Sequence, residues 1–300
     1  MVLESVLRSR FALKHPISAF FFGIVHTVAS AGISLATFPN SASVLSVALI
    51  TMGAMPLFYR AFKHEEHDET SHPQNPATFV SRHFHLIALY GFFFLGLIAA
   101  NTFLYAELPV ANRELLFHEQ EATYGQIEKL RGNVTGADTD LRIEKLRKSF
   151  PGADGGATPC QQNQFIPLAL GCIFANNAMV LGWTLVLSLL YGAGALFLIA
   201  WNATVIAVVL GREVLATNAV NAFGKLGCLI PHGVPELAAY FIGAIAGGLI
   251  SVAVANKLYK RPQFKIILQD VLVLVILAYI LLFIGSLIEA GNILSACFTR

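Results

Sequence analysis

Seven uninterrupted apolar runs, each close to the length of a bilayer crossing, constrain this chain more than any motif in it. They are Pro16 to Phe38, Ser41 to Tyr59, His85 to Leu108, Phe165 to Leu187, Leu189 to Leu210, Glu236 to Ala255 and Ile266 to Ile288. A hydrocarbon core about 30 Å thick takes about 20 residues per helix. Inside it every backbone N–H and C=O needs a partner, which leaves helices and closed barrels as the only spanning structures. The runs are continuous rather than alternating, so they predict an all-α polytopic membrane protein of about seven transmembrane helices. A chain of 300 residues that is 56% hydrophobic and 13% charged, with a mean hydropathy of +0.65, lies outside the composition of a soluble domain. Its net charge of +2 gives no basis for binding nucleic acid.

The fourth and fifth runs are the least sharply divided. No charge separates them, and Tyr191-Gly192-Ala193-Gly194 is the only turn signal, so a half-helix followed by one tilted span is the alternative. The first run exceeds the apolar core of a typical signal peptide and is expected to remain as a span.

Lys and Arg sort to one side of the expected bundle. Arg8, Arg10 and Lys14 precede the first span, Arg60, Lys63 and Arg82 lie between the second and third, and Lys257, Lys260, Arg261 and Lys265 lie between the sixth and seventh. This bias predicts a multi-pass cell-membrane protein with a cytoplasmic N-terminus and an extracytoplasmic C-terminus. The polar insertion 109–164 then falls outside. Asn112 can cap a helix from Arg113 to Arg131, and Thr139 or Asp140 can start a second that ends before Pro151. A small extracytoplasmic helical hairpin with a solvated charged face is expected. The Pro151-Gly152-Ala153-Asp154-Gly155-Gly156 stretch reads as a linker.

Four cysteines, at 160, 172, 228 and 297, form no C-x-x-C. A disulfide from Cys160 to Cys228 would pin the linker to the membrane domain. Lys63-His64-Glu65-Glu66-His67-Asp68-Glu69, with His72, His83 and His85, concentrates zinc-type side chains, but lacks the H-E-x-x-H spacing of a metalloprotease. It reads as a solvated cytoplasmic loop. No cofactor is implied.

Two polar signatures stand out against the apolar runs: Ile173-Phe174-Ala175-Asn176-Asn177 and Ile230-Pro231-His232-Gly233-Val234-Pro235-Glu236-Leu237. Pro235 suits the first turn of a helix, so span six is expected to start there, with Glu236 at the positive end of its dipole. Pro231, Gly233 and Pro235, like Gly192 and Gly194, are therefore expected helix breaks, with Gly233 letting His232 fold back toward Glu236. A cap on backbone amides and a working site are equal readings. Polar side chains inside a membrane usually face a protein interior or a cavity, so Asn176, Asn177, Asn202, His232 and Glu236 are expected to form one polar centre. Asn101 and His26 read as interhelical glue. Gly243-Ala244-Ile245-Ala246-Gly247 is a G-x-x-x-G for close helix packing. No catalytic motif is present.

From about Phe165 to Ile288 the chain resembles the stage II sporulation protein M family. The resemblance rests on Phe174-Ala175-Asn176-Asn177, Tyr191-Gly192-Ala193-Gly194-Ala195-Leu196, Trp201-Asn202 and Pro231-His232-Gly233-Val234-Pro235-Glu236. It extends to about Arg82, which leaves 1–81 as two added spans with their cytoplasmic loop and 82–300 as the family-like membrane domain. The resemblance implies a membrane scaffold without catalytic activity of its own, acting in cell-envelope organisation with other envelope proteins. A homo-oligomer is compatible with it. A transporter or channel with a pathway around the polar centre is the alternative, and an intramembrane metal-dependent hydrolase is a third.

Overall fold

The computed structural model describes residues 9–71, 79–132, 166–191, 193–217, 219–262 and 264–293. Among these residues the regular elements are helices: α1 (Ser9–Lys14), α2 (Ile17–Thr37), α3 (Ala42–Ser71), α4 (Phe79–Glu107), α5 (Val110–Gly132), α6 (Ile166–Tyr191), α7 (Leu196–Ala216), α8 (Ala219–Ala255) and α9 (Phe264–Ile293). All of these except α1 and α5 are long and apolar enough to cross a membrane, giving 7 candidate spans. The chain is an all-α polytopic membrane protein.

Helix α8 is the hub. It packs on α9, α6, α7, α3 and α4, and 72% of its apolar window is buried, against 22% for α6, which faces outward. Small residues make this possible. A Cβ on Gly243 would lie 2.5 Å from Leu181 Cδ1, one on Gly247 would lie 2.7 Å from Leu185 O, and one on Gly248 would lie 2.7 Å from the Phe62 ring. The G-x-x-x-G face is thus occupied by α6 of the same chain, and α3 takes the adjacent surface.

A cluster of rings fills the space between α3, α4 and α8. Phe58 and Tyr90 approach to 4.4 Å between centroids, Phe58 and Phe93 to 5.3 Å, and Phe241 stacks on Tyr90 at 5.7 Å. Such ring pairs add to area burial by about 0.5–1.5 kcal/mol each. Helix α2 joins through a close crossing with α4, where a Cβ on Gly23 would meet Phe93 O at 2.8 Å. The helices on either side of residue 82 therefore share one core: α2 packs on α4, and α3 on α8 and α7.

The fourth and fifth spans are separate helices. Ala193, Gly194 and Ala195 link them in a buried turn closed by Leu196 N–H to Ala193 O, 3.1 Å; Gly192 lies outside the described residues. Because α7 reverses the chain, α6 and α8 run parallel, with Asn177, Leu181 and Leu185 successively beside Glu236, Gly243 and Gly247.

Three expectations are corrected. Span six does not begin at Pro235: α8 runs unbroken through Pro231, Gly233 and Pro235. Each proline removes a donor and leaves the carbonyl four residues earlier without its helical partner, but a full break in hydrocarbon would strand more groups than it relieves. The histidine-rich segment is not a loop, since α3 continues as helix to Ser71; its side chains from Glu65 onward, and His72, lie outside the described residues. The first helix of the insertion starts at Val110 and is irregular at Phe117. The expected second helix and the linker lie outside the described residues, as do Cys160 and the side chain of Cys228.

Candidate functional site at the α6–α8–α9 crossing

With α8 continuous, His232, Glu236 and Tyr240 are one turn apart on a single helical face. This replaces the folded-back His232 that a helix start at Pro235 required. Asn177 of α6 donates from Nδ2 to Glu236 Oε1 at 2.9 Å, and Asn176 Nδ2 lies 3.4 Å from Asn177 Oδ1. Helix α9 closes the third side through Gly285, where a Cβ would lie 2.6 Å from Glu236 Cγ and 3.1 Å from His232 O. Only glycine lets α9 approach a carboxylate-bearing face this closely. Glu289, one turn beyond Gly285, is near enough for its carboxyl to interact electrostatically with Glu236 and Tyr240.

The five expected polar residues do not all converge. Asn177 and Glu236 are hydrogen-bonded, His232 is buried on the same face of α8, and Asn176 touches the pair from an exposed position on α6. Asn202 is on α7 and donates to Leu198 O of its own helix at 2.8 Å. Asn101 likewise donates to Leu97 O at 2.8 Å, so it satisfies its own turn and not a neighbouring helix. His26 bonds Phe22 O at 3.0 Å and lays its ring against Gly53 of α3. Of the expected helix breaks, Gly194 is in the α6–α7 turn, whereas Pro231, Gly233 and Pro235 are within α8.

Sequence reasoning passed over Gly285 and Glu289. Glu289 falls one residue beyond the apolar run that ends at Ile288, and a carboxylate at a run's end looks like its boundary. Chemically, the crossing offers two carboxyls and two carboxamides in a largely apolar surrounding, a set suited to holding a proton or small cation by oxygen atoms. Among the described residues no group of three or more His, Cys, Asp or Glu side chains is placed to hold a metal ion.

A second polar assembly, also missed, fastens α5 to the bundle. Glu121 accepts a hydrogen bond from the Tyr105 hydroxyl of α4 and pairs with Arg212 of α7, Nη2 to Oε2 at 2.8 Å. The Arg212 guanidinium also lies 4.8 Å from the Tyr124 ring centroid. On the other flank Ser43 Oγ of α3 donates to Gln120 Oε1 at 2.7 Å and accepts from Glu119 N–H at 3.3 Å. Glu121 thus points inward, unlike the wholly solvated face expected of the insertion. Arg212 and Glu121 are 91 residues apart, and nothing local in the sequence links them.

Comparison with known proteins gives one family match, to the description Stage II sporulation protein M, over residues 19–291. The match begins inside α2, so it takes in the first two spans as well as the region from Arg82 onward. No curated protein and no solved structure matches the chain. Spanning the polar crossing, the hub helix and nearly all of the bundle, that match establishes that the chain belongs to the stage II sporulation protein M family.

Proposed function

We propose that this protein is a non-catalytic membrane scaffold that organises envelope proteins through its extracytoplasmic insertion. The observation that carries this reading is the anchoring of α5. Contacts from α3, α4 and α7 hold the stem of the insertion at three points. A scaffold needs a firmly held stem for partners to work against, whereas a linker does not. In the proposed orientation the N-terminus is cytoplasmic, the C-terminus extracytoplasmic, and other envelope proteins are the partners.

Crosslinking in native membranes, with subsequent affinity purification and mass spectrometry, tests it. The intact chain is compared with one lacking residues 133–164, which keeps α5 and its anchors. A stoichiometric envelope protein captured by the first and lost from the second is the expected result. Recovery of the chain alone from both would remove the support for scaffolding.

A second reading, transport of a proton or small cation, is favoured by the Asn177–Glu236 bond and the nearby Glu289. Polar helix crossings inside a membrane are frequent features of ion pathways. Ion flux in proteoliposomes that is lost in Glu236→Gln supports it, and equal flux in empty and loaded vesicles rejects it.

A further inference from the structure

The turn between α8 and α9 is a folded element that carries several cations. Helix α8 ends at Ala255, Lys257 takes a left-handed conformation with φ 58°, and a 3₁₀ turn spans Leu258–Lys260. Leu258 is buried, and backbone bonds from Lys257 N–H to Val254 O and from Arg261 N–H to Leu258 O close the turn. Lys257, Lys260, Arg261 and Lys265 therefore project from an ordered rim, all four exposed. From Val252 to Gln269 the sequence has no acidic residue, and the next one, Asp270, is half-buried on α9.

Directly along α9 from Lys265 lies an outward apolar stripe at four-residue spacing. Leu268, Leu272 and Ile276 are 50%, 60% and 52% exposed, so nothing in the described chain covers them. Tyr259, also exposed, has the Lys260 ammonium 5.7 Å from its ring centroid. Tyrosine with lysine is the pairing found where hydrocarbon meets headgroups. A cationic rim alone accounts for orientation in the membrane. A cationic rim set at the end of an uncovered hydrocarbon-facing stripe matches both halves of a lipid molecule.

We propose that the α8–α9 turn is a binding site for an anionic phospholipid, whose phosphate meets Lys257, Lys260 and Arg261 while its acyl chains lie along Leu268, Leu272 and Ile276. Neither the scaffold nor the transport reading assigns this site, and it stands independently of both. Basic residues beside a membrane attract anionic headgroups by an amount equivalent to about fivefold in affinity per cation at the surface. The attraction falls as salt shortens the screening length.

Native mass spectrometry of the full-length protein in mild detergent tests the proposal. The probe is an equimolar mixture of phosphatidylglycerol and phosphatidylcholine with identical acyl chains. The intact protein should retain phosphatidylglycerol severalfold over phosphatidylcholine, with the preference collapsing at high salt. The triple substitution K257Q/K260Q/R261Q should abolish it without shifting the thermal melt. Equal retention of both lipids by the intact protein overturns the site, as does a preference that survives in the folded triple variant. If the triple variant misfolds, the single change Lys260→Gln and the salt titration decide, and a preference unmoved by both overturns the site. Full displacement of the lipid by millimolar inorganic phosphate would also count against it, because the hydrocarbon wall would then contribute nothing.

Discussion

Asn101, Asn177 and Asn202 are three carboxamides in apolar helices, yet only Asn177 bonds to another helix. The other two donate to the carbonyl four residues back, as do the hydroxyls of Thr51 and Thr184. A carbonyl oxygen has a second lone pair, so an amide can be satisfied within its own turn. Asn177→Ala should therefore lower stability by about 1 kcal/mol, while Asn101→Ala and Asn202→Ala change it less. Thermal unfolding in one detergent, with the three variants side by side, measures the difference. Equal effects at all three positions would deny Asn177 its special place. At this scale the sequence identified both partners of the Asn177–Glu236 bond, because amides and carboxylates are conspicuous among Leu, Ile and Val. It did not separate Asn177 from Asn202, since back-bonding depends on the rotamer and leaves no mark in composition. Gly285 escaped for the same reason: its role is defined by what lies opposite.

Helix α8 shows what pattern reading does and does not supply for an element. The G-x-x-x-G of Gly243 and Gly247 was legible as a close-packing face, but its neighbour was not, and that neighbour is α6 of the same chain. Gly247→Leu should force α6 away from α8 and destabilise the protein by about 1–3 kcal/mol, the usual range for overpacking. Gly182→Leu is the matched control, because an added Cβ there meets nothing within 4 Å. Both are read by thermal unfolding, and comparable losses would mean that the α6–α8 crossing is not the tight one. The two prolines misled for a definite physical reason. Their local preference is to start or bend a helix, whereas the bilayer penalises any interruption that leaves backbone groups without partners. Helix α8 stays helical through Pro231 and Pro235 although Ile230, Pro231 and Val234 are exposed there.

For the molecule as a whole, one end carries exposed Lys14, Arg60, Lys63, Lys257, Lys260, Arg261 and Lys265, beside the acidic stretch 65–69 of α3, while the α5 end has Arg113 and Arg212 as its Lys and Arg among the described side chains. This asymmetry supports the proposed orientation, with the first end in the cytoplasm. In a cysteine-free background, Lys260→Cys should resist a membrane-impermeant thiol reagent in intact cells and Glu114→Cys should react; the reverse pattern would invert the topology. Because Phe58 and Phe62 of α3 lie in the same ring cluster as Tyr90 and Phe241, a fragment 82–300 should not fold alone. Size-exclusion chromatography would show it as aggregate, and a monodisperse peak would contradict the shared core. The number and rough limits of the spans were legible because hydrophobic length is a local property. Which helix becomes the hub was not, since it depends on contacts across the whole bundle. The parallel pairing of α6 with α8 also has a bearing on biosynthesis. The partner of Asn177 is 59 residues downstream, so at roughly 5–20 residues per second the ribosome supplies Glu236 about 3–12 s later. Until Glu236 follows, α6 lacks both the partner of its polar amide and the α8 face it packs against, which makes it a natural client for whatever machinery shelters nascent helices at the translocon.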